Sequence, residues 1–156
     1  MTPIYKIIYN IAHTVRKAYW VLFKPKTFGV KALILNPGNR HEVLMIQTSY
    51  GSKLWNLPGG GYNPKRETAE NAIQRELRQE LSVTSVGVLP LGEYNTNTEG
   101  KHDSVTLFLA HINDVELSMS GEVLKKKWFP IGEVMQDNVA KVARVSIDLY
   151  KKRQPQ

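Results

Sequence analysis

The run from Gly61 to Val83 constrains this chain of 156 residues more than any other segment. After its opening glycine and a turn at Pro64, apolar residues recur at helical spacing, and at about 100° per residue they form one stripe. The residues of this stripe are Ala69, Ile73, Leu77 and Leu81. Glu76 and Glu80 are four residues apart, so their side chains share one face of the helix, at the edge of the stripe.

Two carboxylates at a core-facing edge are costly to bury unless a cation compensates them. Gly59, Gly60 and Gly61 precede the helix, and glycine allows the backbone to approach a ligand closely. Hard cations such as Mg²⁺ take carboxylate, carbonyl and water oxygens, and they share their coordination with substrate phosphates. The pattern therefore predicts a metal and phosphate site. A solvated helix stabilised by salt bridges is the alternative interpretation.

The same run resembles the Nudix box, G-x5-E-x7-R-E-U-x-E-E-x-G-U, where U is a bulky aliphatic residue. Seven of its defined positions match, at Gly61, Glu67, Arg75, Glu76, Leu77, Glu80 and Val83. Two positions depart from the box. Gln79 replaces the first glutamate of the E-E pair, which predicts a metal site with one anionic ligand fewer. Ser82 replaces the closing glycine, so the helix must end without the residue best suited to turning there.

The resemblance implies a metal-dependent hydrolase that cleaves the pyrophosphate linkage of a nucleoside diphosphate linked to another moiety, with Mg²⁺ or Mn²⁺ as cofactor. It implies that Glu76 and Glu80 hold the metal, with the Gly60 carbonyl as a further ligand. Arg75 would orient Glu76 through a charge-assisted hydrogen bond, and Glu67 would support the loop. The implied catalytic set is Glu76, Arg75 and Glu80. For Arg75, a surface salt bridge is the alternative.

Substrate contacts are expected near the glycines. Gly61 lies in the loop itself, and Tyr50 and Trp55 flank it, where their rings are placed to stack on a nucleobase. Core packing is the alternative explanation for Trp55. Members of the family often recruit another carboxylate from a later loop, and Asp103 and Glu122 are the candidates, although each also fits a plain loop residue.

The remaining pattern predicts an α/β fold: a Nudix-type α/β/α sandwich with a mixed sheet, plus an extra N-terminal amphipathic helix. The predicted domain covers residues 27–156. Predicted strands are 28–35, 42–47, 85–94, 104–111 and 124–129, followed by a helical turn from 130 and a helix over 138–151.

The predicted N-terminal helix covers residues 1–26, where apolar residues recur at helical spacing and Lys24-Pro25-Lys26 ends the pattern. His13, Arg16 and Lys17 interrupt the apolar run, which argues against a transmembrane span. No signal-peptide pattern is present. The helix is expected to pack on the domain or on a second subunit as a homodimer, and weak contact with an anionic membrane surface is the alternative.

The chain has no cysteine and a formal net charge of +7. The missing cysteines exclude a disulfide scaffold and a thiol nucleophile. The positive charge favours anionic partners. Because the sequence has no strong nucleic-acid signal, we expect this partner to be a small nucleotide-type substrate. We expect the protein to be cytoplasmic. Two other function classes stay open: a catalytically weakened nucleotide-binding or regulatory module, and a membrane-surface or scaffolding protein. The box does not identify the substrate.

Overall fold

The structure of the protein is a computed structural model. It describes residues 15, 22–23, 25–49, 53–83, 87–98, 101–113, 117–118, 123–135 and 138–154, without the side chains of residues 98 and 101. Of the predicted N-terminal helix, the described part comprises Val15, Leu22 and Phe23, which are helical and exposed, together with Pro25 and Lys26. The rest of residues 1–26 lies outside the described residues, so the domain boundary and the packing of this helix stay predictions.

Six strands and two helices can be assigned in the described residues. The strands are β1 (Lys26–Ile34), β2 (Glu42–Thr48), β3 (Gly61–Tyr62), β4 (Gly87–Thr98), β5 (Lys101–His111) and β6 (Val123–Pro130). The helices are α1 (Ala69–Leu81) and α2 (Lys141–Arg153), and a 3₁₀ helix (Ile131–Met135) follows β6. Each strand and helix that the sequence predicts for the domain of residues 27–156 is found, although β4 and β5 are longer than expected. The two-residue strand β3 was not predicted.

The strands form two sheets. One has four strands in the order β3-β1-β5-β4, and the other pairs β2 with β6. β1 and β3 are antiparallel, with Gly29 opposite Gly61. β2 and β6 are also antiparallel, with Leu44 opposite Trp128. The short β3 therefore attaches the end of residues 59–61, the glycine segment, to the edge of the larger sheet.

Two apolar clusters lie on opposite faces of β1, because successive side chains of a strand point to opposite faces. The first cluster includes Val30 and Ala32 of β1 and the apolar stripe of α1, in which Ile73 and Leu77 are buried. The second cluster includes Leu33 of β1 and the buried face of α2. Thus α1 covers one face of this strand and α2 covers the other, as the predicted α/β/α layering requires.

The chain divides into two compact units. The smaller comprises Met1–Thr27 with Asn95–Ser104, and the larger comprises Phe28–Tyr94 with Val105–Gln156. Within the smaller unit, Thr27 Oγ1 donates a hydrogen bond to Asp103 Oδ1 at 2.8 Å. Among the described residues, no helix has both the length and the apolar character needed to cross a membrane.

Candidate active site

The helix α1 is fixed at both ends by local interactions. At its start, Thr68 is the N-cap, and its hydroxyl oxygen accepts a hydrogen bond from the Asn71 amide at 3.2 Å. Glu70 lies in the first turn, where a negative charge interacts favourably with the helix dipole. At its end, Ser82 adopts a left-handed conformation with φ 58°, and its amide donates to the Arg78 carbonyl. The helix thus ends at the position where the box normally has glycine.

The glycine segment pairs with β1 before it reaches α1. The amide of Val30 donates to the Gly60 carbonyl at 2.9 Å, and the amide of Ala32 donates to the Pro58 carbonyl at 3.0 Å. Gly59 has a φ of +125°, and a Cβ added there would lie 2.2 Å from the Val30 carbonyl oxygen. Only glycine fits this position, because it alone has neither a Cβ nor a penalty at positive φ.

Gly59 is bound through both its amide and its carbonyl group. Its N–H donates to Glu80 Oε2 at 2.8 Å, and its carbonyl oxygen accepts from Lys31 Nζ at 2.7 Å. Lys31 also donates to the Leu57 carbonyl at 2.8 Å. Sequence reasoning missed this lysine, although a charged residue between the apolar Val30 and the apolar run after it was a usable signal. Lys31 thus fixes the glycine segment to β1, and Glu80 fixes it to α1.

The carboxylate of Glu76 lies directly against Gly60. A Cβ added to Gly60 would lie 2.6 Å from the carboxyl carbon of Glu76 and 2.7 Å from its Oε2. Glu76 Oε1 accepts a hydrogen bond from Arg75 Nη1 at 2.7 Å, and Oε2 has no hydrogen-bond partner among the described residues. The side chain is 14% exposed. One oxygen of Glu76 is therefore fixed, and the other can act on a ligand.

Arg75 is the hub of the polar network. Its Nη2 donates to Glu67 Oε1 at 2.8 Å, and its Nη1 donates to Gln79 Oε1 at 3.1 Å as well as to Glu76. A longer contact of 3.4 Å joins Nη2 to the Gly61 carbonyl. The hydrogen bond to Glu67, followed by the hydrogen bond and charge of Glu76, raises the pKa of Arg75 above its ordinary value, while burial opposes the rise. Arg75 therefore stays charged and links the loop to the helix.

The structure brings six of the predicted residues together: Gly60, Gly61, Glu67, Arg75, Glu76 and Glu80. Gln79 joins them through Arg75 and is exposed. The catalytic and metal-binding roles of these residues stay predictions.

Of the predicted aromatic and later-loop residues, the structure describes Trp55 and Asp103. The ring of Trp55 packs edge-to-face on Phe129, with centroids 5.0 Å apart, and belongs to the second apolar cluster. This contact favours the core-packing alternative for Trp55. Asp103 is hydrogen-bonded to Thr27 in the smaller unit. Tyr50 and Glu122 lie outside the described residues, so their predicted roles stay predictions.

The oxygen donors of this site suit a hard divalent cation. Glu80 is 3% exposed, Glu76 lies against Gly60, and the Gly60 carbonyl belongs to the same segment. No cluster of three or more His, Cys, Asp or Glu side chains able to hold a metal occurs in the part of the chain that the structure describes. Two carboxylates fit Mg²⁺ nonetheless, because this ion typically takes one or two of them and fills its shell with water and substrate phosphates.

Comparison with known proteins identifies the family to which the chain belongs. The family model of the NUDIX domain matches residues 25–150. The chain belongs to the NUDIX family. This confirms the resemblance drawn from the box, the predicted fold class and the predicted enzyme class, a Nudix-type pyrophosphohydrolase.

Individual relatives of this Nudix protein are distant. Mouse diphosphoinositol polyphosphate phosphohydrolase 3-alpha is 29% identical over 120 residues, which cover 73% of this chain and 71% of the relative. The MutT protein of Methanosarcina mazei Go1 has a TM-score of 0.72 at 23% identity, over 85% of this chain and 99% of that one. The NUDIX domain of Shewanella oneidensis NrtR, solved with ADP ribose, has a TM-score of 0.71 at 22% identity, over 85% and 90%.

Proposed function

We propose that this Nudix protein hydrolyses the pyrophosphate linkage of a small phosphorylated substrate, with Mg²⁺ or Mn²⁺ as cofactor. The observation that carries the proposal is the position of Glu76, whose carboxylate lies against Gly60 with one oxygen bound by Arg75 and the other without a partner among the described residues. Hydrolysis of an anhydride needs a group that orients and deprotonates water, held in a fixed position.

Glu76, Glu80 and the Gly60 carbonyl are the residues that would hold the cation. Gly60 already accepts one hydrogen bond from Val30, and a carbonyl oxygen has a second lone pair for a ligand. When bound, the cation would neutralise charge on the phosphates and polarise the scissile linkage. The few protein ligands leave coordination positions for the substrate and water.

The chain's own residues prepare the attack of water. Arg75 binds Glu76 through Oε1, which leaves the two lone pairs of Oε2, one that would hold the cation and one that would accept a proton from the attacking water. The same guanidinium binds Glu67, so Glu76 cannot turn toward solvent without breaking a charge-assisted network. Gly60 keeps the space beside the carboxylate free of a side chain. These contacts supply preorganisation, which lowers the barrier because no reorganisation is needed during reaction.

Two substrate classes are supported by different observations. The complex of the NrtR domain with ADP ribose favours a nucleoside diphosphate linked to another moiety. The name of the mouse relative favours a diphosphoinositol polyphosphate. Both are anions that a chain with a net charge of +7 attracts. We place the nucleotide class first, because the family resemblance implies it and the neighbouring structure favours it.

The deciding experiment measures product release from ADP-ribose, a nucleotide sugar, a dinucleoside polyphosphate and a diphosphoinositol polyphosphate, each with Mg²⁺, with Mn²⁺ and with EDTA. We expect metal-dependent turnover of one class and none with EDTA. Glu76→Gln is the negative control for contaminating activity. Binding of a compound without turnover at any metal concentration would contradict the proposal and favour the nucleotide-binding or regulatory alternative.

A further inference from the structure

A cleft of about 470 Å³ lies in the larger unit, away from the Glu76 site. It is lined by Arg40 and His41 from the β1–β2 turn, by Ile131 after β6, and by Tyr150, Lys151 and Gln154 at the end of α2. This size is within the range of roughly 300–1,000 Å³ that is usual for small-molecule sites. Arg40 and Lys151 are basic residues, and no carboxylate occurs among the described residues of the lining.

Within the part of the chain that the structure describes, the basic side chains around the cleft have no compensating partner. Arg40, His41 and Lys151 have no ion pair or side-chain hydrogen bond among the described residues. The adjacent carboxylate, Glu42, instead accepts a hydrogen bond from Asn36 Nδ2 at 2.7 Å. By contrast, Arg75 and Arg153 do have side-chain partners, and Arg153 donates to the Pro90 carbonyl. Positive groups that share one concave space raise its potential and attract an anion.

The walls of the cleft are held in place by the fold. In the turn, the Glu42 amide donates to the Asn39 carbonyl at 3.0 Å, and the His41 amide donates to Asn39 Oδ1 at 3.2 Å. The Ile131 amide donates to the His41 carbonyl at 2.8 Å, which ties the turn to the end of β6. Tyr150 OH accepts from Gln154, so its own hydroxyl hydrogen can still be donated.

The cleft is separate from the Glu76 site. The glycine segment pairs with β1 at Val30, and from there β1 runs to Ile34 before the turn begins. At about 3.3 Å per residue, the strand alone places the turn roughly 13 Å beyond that pairing. One small ligand in the cleft therefore cannot also lie against Glu76.

We propose that this cleft is a second anion site, which binds a free ligand that carries two or more phosphate groups. Three nitrogen-bearing side chains around one space match a ligand with several phosphate oxygens better than a single monoanion, because each can donate a charge-assisted hydrogen bond. The concave shape favours a free ligand over a lipid headgroup in a flat surface. The proposal does not depend on the hydrolytic function.

The test uses the full chain in EDTA, with inorganic tripolyphosphate as the probe and isothermal titration calorimetry as the measurement. Lys151→Gln and Lys152→Gln form a matched pair, because they are adjacent, exposed and equal in net charge. Around the axis of α2, Lys152 lies about 100° from Lys151, the nearest residue that lines the cleft. We expect Lys151→Gln and Arg40→Gln each to raise the Kd at least about 3-fold, with Lys152→Gln and Glu76→Gln close to the parent protein.

Amide chemical shifts locate the ligand independently, and the changes on titration should concentrate at Arg40, His41 and Lys151. Three results would overturn the proposal: no binding of tripolyphosphate in EDTA, an equal loss in Lys152→Gln, or loss of binding in Glu76→Gln. Vesicles of phosphatidylcholine with and without a phosphatidylinositol phosphate distinguish the source of the phosphate. The cleft would instead be assigned to a lipid headgroup by two results together. The parent protein, but not Lys151→Gln, would sediment with the phosphoinositide vesicles, and tripolyphosphate would not bind.

Discussion

Gln79 Oε1 accepts a hydrogen bond from Arg75 Nη1 at 3.1 Å, and the same nitrogen donates to Glu76 at 2.7 Å. Gln79, which departs from the box, is therefore linked to Glu76 through Arg75. Because Gln79 is exposed and turned toward Arg75, we interpret it first as support for the guanidinium and only second as a source of ligand charge.

We expect Gln79→Glu to tighten Mn²⁺ binding by only about 2- to 5-fold, because a carboxylate at this exposed position would stay paired with Arg75, which offsets its charge. Electron paramagnetic resonance of Mn²⁺ in the parent protein and the variant gives both affinities without a substrate. Gln79→Met, of similar size and without a hydrogen-bond acceptor, controls for the loss of the Arg75 contact. A gain of 10-fold or more would mean that position 79 coordinates the metal directly.

Glu76→Gln and Glu80→Gln should each lower turnover by at least about 100-fold, as expected for the loss of a preorganised charged group. Both variants should remain folded, because glutamine keeps the size of the side chain and an oxygen that can accept the Gly59 or Arg75 hydrogen bond. Glu70→Gln, in the exposed first turn of α1, is the matched control. Turnover of both site variants within 2-fold of Glu70→Gln would remove them from the active site.

Gly60→Ala and Gly59→Ala should separate catalysis from folding. At Gly60, the added methyl meets the end of the flexible Glu76 side chain, so the carboxylate moves, and activity should fall about 10- to 100-fold with little loss of stability. At Gly59, the methyl meets the Val30 backbone at positive φ, which should destabilise the fold by about 2–4 kcal/mol. Thermal unfolding and steady-state rates distinguish the two. A fully active Gly60→Ala protein would contradict the placement of Glu76.

Ser82 tests the second departure from the box. Its left-handed conformation, with φ 58°, costs a residue with a Cβ about 1–2 kcal/mol. Glycine avoids this cost, but part of the advantage is lost because glycine gives the unfolded chain more conformational entropy. We expect Ser82→Gly to stabilise the protein by about 0.5–1 kcal/mol. Ser82→Val should destabilise it, since a β-branched residue tolerates positive φ poorly. Chemical denaturation measures both, and a lower stability of the glycine variant would show that the serine hydroxyl matters more than the backbone.

Local patterns were sufficient for much of this molecule. Helical periodicity predicted both the buried stripe of α1, where Ile73 and Leu77 are inaccessible, and the edge position of Glu80, since these depend only on spacing along one helix. The strands other than the two-residue β3 also followed from their apolar runs and turn residues.

What the sequence could not provide was register between distant segments. The role of Lys31 depends on the pairing of Val30 with Gly60, which no local pattern encodes. The two explanations for Trp55 differed in whether its ring meets a core residue, and its partner is Phe129 of β6, distant in sequence. Such contacts are set by tertiary packing, and they decide which polar groups reach the site.

Lys31 and Glu80 bind Gly59 from opposite faces of the sheet, since Lys31 lies on the Leu33 side of β1 and Glu80 comes from α1 on the other. The Gly59 amide can exchange with solvent hydrogen only when α1 separates from β1, so its protection should approach that of the core rather than that of a surface loop. The glycine segment of the site is therefore rigid. Any movement that admits a substrate or releases a product must arise in the segments around it, because the glycine segment cannot open without unfolding its neighbours.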